Sequence, residues 1–203
     1  MRLGDGTLWR RDPADRSVER GPLERRPGRV DPARVYEAIL AASGSRGIAS
    51  WLDYLRARRD EGEVLLASIV GILTGSIDIV FRTGSPGAHR YYLADYKTNR
   101  IGESESGHYA ASWLEWEMAR KGYPLQALIY TLALHRHLAR RLPGYDYDRH
   151  VGGYVYLFLR GMSGPSTPRD PATGRCLGVF GDRWPRATIE MLDEALWPRG
   201  EGA

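Results

Sequence analysis

The chain reads as an α/β protein, a mixed sheet flanked by helices, and three observations predict it. Apolar residues recur at helical spacing in residues 49–60 and again from about 110 to 141. Between them, EVLLASIVGILTGSIDIVFR and RYYLADYKTN are β-rich runs separated by the turn chemistry of TGSPGAH, the pattern of an antiparallel hairpin. After the long helix, GGYVYLFLRG is an apolar run with the look of a buried strand. The order helices, hairpin, helix, strand, helix is that of an α/β sandwich.

Residues 1–30 hold eight arginines and five acids among Gly and Pro with little periodicity, so they read as an irregular lead-in. DPARVYEAIL (31–40) predicts a short helix with Asp31 as cap and Pro32 in its first turn. SGSRG breaks it, and ASWLDYLRARRD resumes helical spacing through Trp51, Leu52 and Leu55. A domain boundary is expected near 62/63, with 1–62 as lead-in and short helices and 63–203 as the principal domain. From Glu63 the β-branched run is interrupted by Gly71 and Gly75, which predicts one long bent strand or two strands meeting at a glycine.

Residues 102–108 form a polar loop. In the helical stretch that follows, KGYP marks an interruption, and Pro124 restarts the helix where its missing N–H is harmless. Leu125, Leu128, Ile129, Leu132 and Ala133 then mark the apolar stripe. A Pro/Gly-rich loop is expected from the last strand to about Gly181, and PRATIEMLDEALW (185–197) as a final helix with Pro185 at its start.

With 203 residues the chain can bury a core of its own. No run of about 18 apolar residues offers a membrane span, and the N-terminal segment has no apolar stretch of a secretory signal. Cys176 is the single cysteine, which excludes an intramolecular disulfide and a multi-cysteine zinc site; a cytoplasmic setting is the expectation. The net charge of +4 agrees with a nucleic-acid ligand without requiring one.

The chemistry concentrates on the hairpin. Asp95 and Lys97 are two apart on a strand, so they project from one face, while Tyr96 points away and leaves its carbonyl on the edge between them. Asp78, in GSIDIVF, can approach Asp95 across the ladder. An Asp–Lys pair on a strand is more often a solvated salt bridge. Here both acids lie within apolar runs, where an unpaired carboxylate is costly. Mg²⁺ resolves the repulsion of two close carboxylates, since it takes oxygen ligands and keeps several waters. Lys97 is placed to orient an attacking water or to stabilise transition-state charge. Gln126 and Tyr130 share a helical face at i and i+4; they can contact a nucleic-acid backbone or position the lysine, or simply form a solvated polar edge.

GILTGSIDIVFR, RYYLADYKTNRIG and YPLQALIYTLALHRHLARRLPGYDYDRHVGGYVYLFLRGM, with GVFGDRWPRATIEMLDEAL more loosely, resemble the C-terminal nuclease domain of RecB, a subunit of the bacterial RecBCD helicase–nuclease (exodeoxyribonuclease V). The resemblance runs from about Gly71 to Leu196. It implies a restriction-endonuclease-like PD-(D/E)XK core that cuts DNA phosphodiesters with Mg²⁺ (Mn²⁺ as a possible substitute) in double-strand break processing and recombinational repair. By the same resemblance Asp78, Asp95 and the Tyr96 carbonyl are metal ligands, Lys97 is the catalytic lysine, and Gln126 and Tyr130 form the Q-x-x-x-Y motif.

The chain departs from that pattern upstream, where no histidine precedes His89 and the first core helix is expected to be missing. His108, His135, His137 and His150 read as surface or strand-edge residues. No P-loop is present, so ATP would serve only the helicase parts of a parent complex. The partners implied are DNA ends and single strands, RecC-like and RecD-like subunits, and a RecA-like recombinase; no membrane is implied. The alternative is a RecB-like module with weak or lost catalysis, kept to dock those proteins.

Overall fold

The computed structural model describes residues 38–41, 46–60, 76–103 and 106–197. The arginine-rich lead-in, most of the helix expected at 31–40 and the segment with Gly71 and Gly75 lie outside the described residues. The elements are α1 (Arg46–Asp60), β1 (Ile79–Thr83), β2 (Arg90–Lys97), α2 (Ala111–Lys121), α3 (Tyr123–Arg141), the single turn α4 (Tyr147–His150), β3 (Val151–Phe158), β4 (Val179–Asp182) and α5 (Arg186–Leu196). Among the described residues they build one four-stranded sheet in the order β1-β2-β3-β4. β1 pairs antiparallel with β2, β2 parallel with β3 and β3 antiparallel with β4, so the sheet is mixed, as expected.

The β2–β3 pairing is parallel because α2 and α3 carry the chain back to the starting end of the sheet. Gly122 makes that crossover compact. At φ +66° it closes α2, its N–H reaching the Ala119 carbonyl, and it immediately precedes α3, with Pro124 in the new first turn. At the other end of α2, Asp170 acts as a cap from a distant loop, its Oδ2 accepting the Ala111 N–H at 3.0 Å.

β3 enters the sheet through Gly152 and Gly153, where the register with β2 slips. A Cβ on Gly152 would lie 2.1 Å from the Tyr92 ring, and Gly153 has φ +125° with the Asp182 carbonyl oxygen 2.4 Å from where its Cβ would be.

Two expectations are corrected. β4 lies in what the Pro/Gly content marked as loop, because pairing with β3 outweighs the poor strand propensity of VFGD. The buried stripe of α3 runs through Ala127, Leu128, Thr131, Leu132, Leu134 and Leu138, while Ala133 is exposed. Small side chains at 127 and 131 let the helix approach its neighbours closely, and the Thr131 hydroxyl is satisfied by the Ala127 carbonyl at 2.7 Å. The helix expected at 49–60 is present as α1 and precedes the hairpin. Ile48, Trp51, Leu52 and Leu55 of α1 are buried in the same cluster as Leu93, Leu128 and Ile189, so the packed core reaches upstream of residue 63. No helix among the described residues is long and apolar enough to cross a membrane.

Asp182, which pairs with Tyr154 at the end of β4, supplies a prediction. Burial raises its carboxyl from 3.8 to about 6, with Glu115 adding to the rise and the Arg183 N–H and Arg175 opposing it. The folded value exceeds the unfolded one, so the native state holds the extra proton between the two, and stability falls as pH rises through that window. Asp182→Asn keeps an oxygen for the Arg183 N–H, 2.7 Å away, and removes the ionisation. Allowing for solvent screening, the variant should gain about 1 kcal/mol, or about 2–4 °C in melting temperature, at pH 8. At pH 4 it should gain nothing.

Candidate active site

Strand periodicity places Leu93, Asp95 and Lys97 on one face of β2. Parallel pairing sets Tyr156 of β3 level with Asp95 and Phe158 level with Lys97. Over this face lies α3, turned so that Gln126 and Tyr130 come to the strands.

Asp95 is 7% exposed. Lys97 Nζ lies 2.6 Å from its Oδ2, with both side chains largely buried. The contact is ionic in distance but not aligned as a hydrogen bond, and among the described residues Oδ2 has no hydrogen-bond partner. Withdrawn from water, this oxygen has its charge offset by the Lys97 ammonium.

Lys97 is held from several sides. Its Nζ donates to Gln126 Oε1 at 3.2 Å and sits 4.2 Å from the ring centroid of Tyr123 and 5.2 Å from that of Tyr156. Gln126 has its amide orientation fixed. Oε1 accepts from Lys97 and from the Tyr156 hydroxyl at 3.0 Å, while Nε2 donates to the Tyr130 hydroxyl at 3.2 Å. Burial, then the charge of Asp95, raises the Tyr156 hydroxyl well above the ordinary tyrosine value, so it remains a donor at physiological pH.

Asp78 sits at the bend just before β1, one step beyond the Ile79–Ala94 pair and hence opposite Asp95. Its Oδ2 accepts the Tyr96 N–H at 3.0 Å, which ties it to the backbone between Asp95 and Lys97. Contrary to the expectation of an acid enclosed in an apolar strand, Asp78 is exposed; the desolvation argument holds for Asp95 alone. Tyr96 is 46% exposed and points away from Asp95 and Lys97, as its alternation requires.

All the sequence-derived residues thus meet at one end of the hairpin. Gln126 and Tyr130 are half-buried and bonded into the site, not a solvated edge. Four further residues went unnoticed: Tyr123, Tyr156, Asn99 and Glu117. Asn99 donates to Glu117 Oε1 at 2.7 Å and to the Tyr123 hydroxyl at 2.9 Å, so it steadies the ring beneath Lys97. Glu117 is 1% exposed and carries Arg120 on its Oε2 at 2.7 Å. An acid between Leu114 and Met118 on the apolar side of a helix was a legible signal.

The donor set is entirely oxygen: two carboxylates and the Tyr96 carbonyl. That suits Mg²⁺, which needs few protein ligands and keeps its waters, and the buried Asp95 carboxylate is a donor of that kind. Among the described residues no group of three His, Cys, Asp or Glu could hold a metal. The expected histidine readings need amendment, since His108, His135 and His150 are half-buried and of the four only His137 is exposed. His135 has its Nδ1 2.9 Å from the Tyr145 hydroxyl, and burial lowers its pKa.

No family model matches the chain. Curated proteins do. The chain is 44% identical over 126 residues, 62% of its length, to RecBCD enzyme subunit RecB of Mycobacterium tuberculosis (strain ATCC 25618 / H37Rv). It is 45% identical over 126 residues to the RecB subunit of Haemophilus influenzae and 49% identical over 124 residues to that of Escherichia coli (strain K12). The matched part spans only 11%, 9% and 9% of those relatives, respectively. Identity at this level across such different bacteria, over a segment with this fold, makes the chain a RecB-related domain of the kind found in that subunit's C-terminal region.

Proposed function

We propose that this domain is a Mg²⁺-dependent DNA nuclease that acts within a RecBCD-type helicase–nuclease, hydrolysing phosphodiesters during double-strand break processing. The observation that carries the reading is the buried Asp95 carboxylate, with an oxygen that lacks a hydrogen bond, beside Lys97 and opposite Asp78. In this reading Asp95, Asp78 and the Tyr96 carbonyl hold the ion. A bound Mg²⁺ supplies Lewis acidity toward a phosphoryl oxygen and lowers the pKa of a bound water. Lys97, held by Gln126 and two tyrosine rings, orients the attacking water or meets charge on the phosphoryl oxygens. Tyr130 and Tyr156 fix Gln126, and through it the lysine.

The test is cutting of linear and single-stranded DNA by the purified chain with and without Mg²⁺. Lys97→Ala should reduce kcat by about 10²–10³-fold, the scale of losing one preorganised electrostatic group. No metal-dependent cutting by the unaltered chain, even at high Mg²⁺ or Mn²⁺, would remove the enzyme from this reading.

In a second reading catalysis is weak and the domain docks RecC-like or RecD-like subunits or a RecA-like recombinase. Calorimetric titration separates them. Mg²⁺ or Mn²⁺ binding that disappears in Asp78→Ala counts against the docking reading.

A further inference from the structure

The outer side of α2 carries aromatic side chains that folding leaves in water. Trp113 is 39% exposed and Trp116 51%, whereas Leu114 and Met118 of the same helix are fully buried. Being i and i+3, the two tryptophans are neighbours, with ring centroids 5.9 Å apart and planes at 85°. His108 meets Trp113 edge-on at 4.8 Å, and the Arg120 guanidinium lies 4.9 Å from the Trp116 ring.

An internal contact network links this row to the candidate active site through the buried Glu117. Arg120 donates through Nε and one Nη to Glu117 Oε2, at 3.1 and 2.7 Å, which fixes its plane beside the indole. Glu117 accepts from Asn99, Asn99 bonds the Tyr123 hydroxyl, and the Tyr123 ring carries Lys97 Nζ. The flank is basic. Lys121 and Arg100 are exposed, as is Arg160, whose Nε donates to the Thr98 carbonyl one residue past Lys97. Of the acids of α2, Glu117 is buried against Arg120, and Glu115 is half-buried on the side that faces Asp182 of β4 and keeps its charge.

We infer that Trp113 and Trp116 form a base-stacking platform for single-stranded DNA, which leads a strand to the Asp95–Lys97 site. Unpaired bases expose the faces that indole rings stack on, and a fixed guanidinium with nearby lysine and arginine suits the phosphates between them. Duplex DNA keeps its base faces stacked and gains nothing from the pair. A protein partner could also cover the tryptophans, but it would not explain the exposed Arg100, Lys121 and Arg160. The inference rests on the nuclease reading for its direction and adds the residues that receive a single strand there.

Fluorescence anisotropy of a labelled oligo(dT) with the full chain in EDTA tests it, because no cutting occurs. Trp113→Ala/Trp116→Ala should weaken oligo(dT) binding by about tenfold or more, and a closed duplex hairpin by less than about twofold. Trp116→Phe should stay close to the unaltered chain, whereas Trp116→Leu, apolar but without a π face, should lose affinity. The Phe and Leu pair still decides the matter if the double variant melts early. With Mg²⁺ present, the double variant should raise KM for single strands and leave kcat unchanged.

Unchanged oligo(dT) affinity in the double variant overturns the platform, and so does an equal loss on the closed hairpin. The two readings fail separately. Tryptophan-dependent binding by a chain that never cuts keeps the platform and removes the nuclease; normal cutting with tryptophan-independent binding does the reverse.

Discussion

Asp95→Asn should abolish metal binding and DNA cutting together while leaving the fold intact. The side chain keeps its size and one carbonyl oxygen, so packing against Tyr156 and α3 is preserved. What it loses is the negative charge that, in the proposed reading, holds the ion, and an amide nitrogen replaces an oxygen in an all-oxygen donor set. Loss of cutting should be at least about a hundredfold, and the Mg²⁺ titration should become flat. Lys97 loses its carboxylate partner but keeps Gln126 Oε1 and the rings of Tyr123 and Tyr156. The change also leaves the buried Lys97 ammonium without its counter-charge, so the melting temperature should fall by several degrees while the chain still folds. Circular dichroism melts run beside the titration check this. A variant that bound Mg²⁺ normally and still failed to cut would remove Asp95 from the ligand set and place it with Lys97 as an orienting group.

The difference between Asp95 and Asp78 shows what strand periodicity does and does not reveal. Alternation placed Asp95 and Lys97 on one face, and the hairpin placed Asp78 opposite Asp95; both hold in the structure. Burial was not legible in the same way, because it depends on what covers each face. α3 covers the middle of β2, whereas Asp78 stands at a bend outside β1 and stays in water.

Tyr156 was invisible for a related reason. Its place beside Asp95 follows from a parallel pairing of strands 61 residues apart, which local patterns cannot encode. The face of α3 was misjudged because large apolar residues were weighted over small ones, and it is Ala127 and Thr131 that turn Gln126 toward Lys97. β4 was missed since four residues, one of them glycine, carry too short a pattern. By contrast KGYP was read correctly, as Gly and Pro act through their own backbone geometry and need no partner.

The second large effect concerns whether α1 belongs to the domain. Trp51 of α1 and Trp184, between β4 and α5, are 1% and 0% exposed and meet edge to face with centroids 5.9 Å apart. The Trp184 carbonyl also accepts the Tyr147 hydroxyl at 2.8 Å, so its backbone is fixed by α4 while its ring is fixed by α1. Trp184→Ala should therefore destabilise the protein by about 3–5 kcal/mol, a large part of the roughly 5–15 kcal/mol available to a folded domain. The melting temperature should drop by about 10 °C.

Trp184 Nε1 is buried without a hydrogen bond among the described residues, so Trp184→Phe sheds an unsatisfied donor and should cost much less than Ala. Trp51→Ala should destabilise on a similar scale, and the double variant should lose less than the sum, because each single change already removes the shared contact. Chemical denaturation of the four proteins measures the coupling. Strict additivity, or a Trp51→Ala protein as stable as the unaltered one, would mean that α1 rests on the core without contributing to it. A coupling of about 1 kcal/mol or more would make the helix before the hairpin a structural member of the domain that holds Asp95 and Lys97 in place.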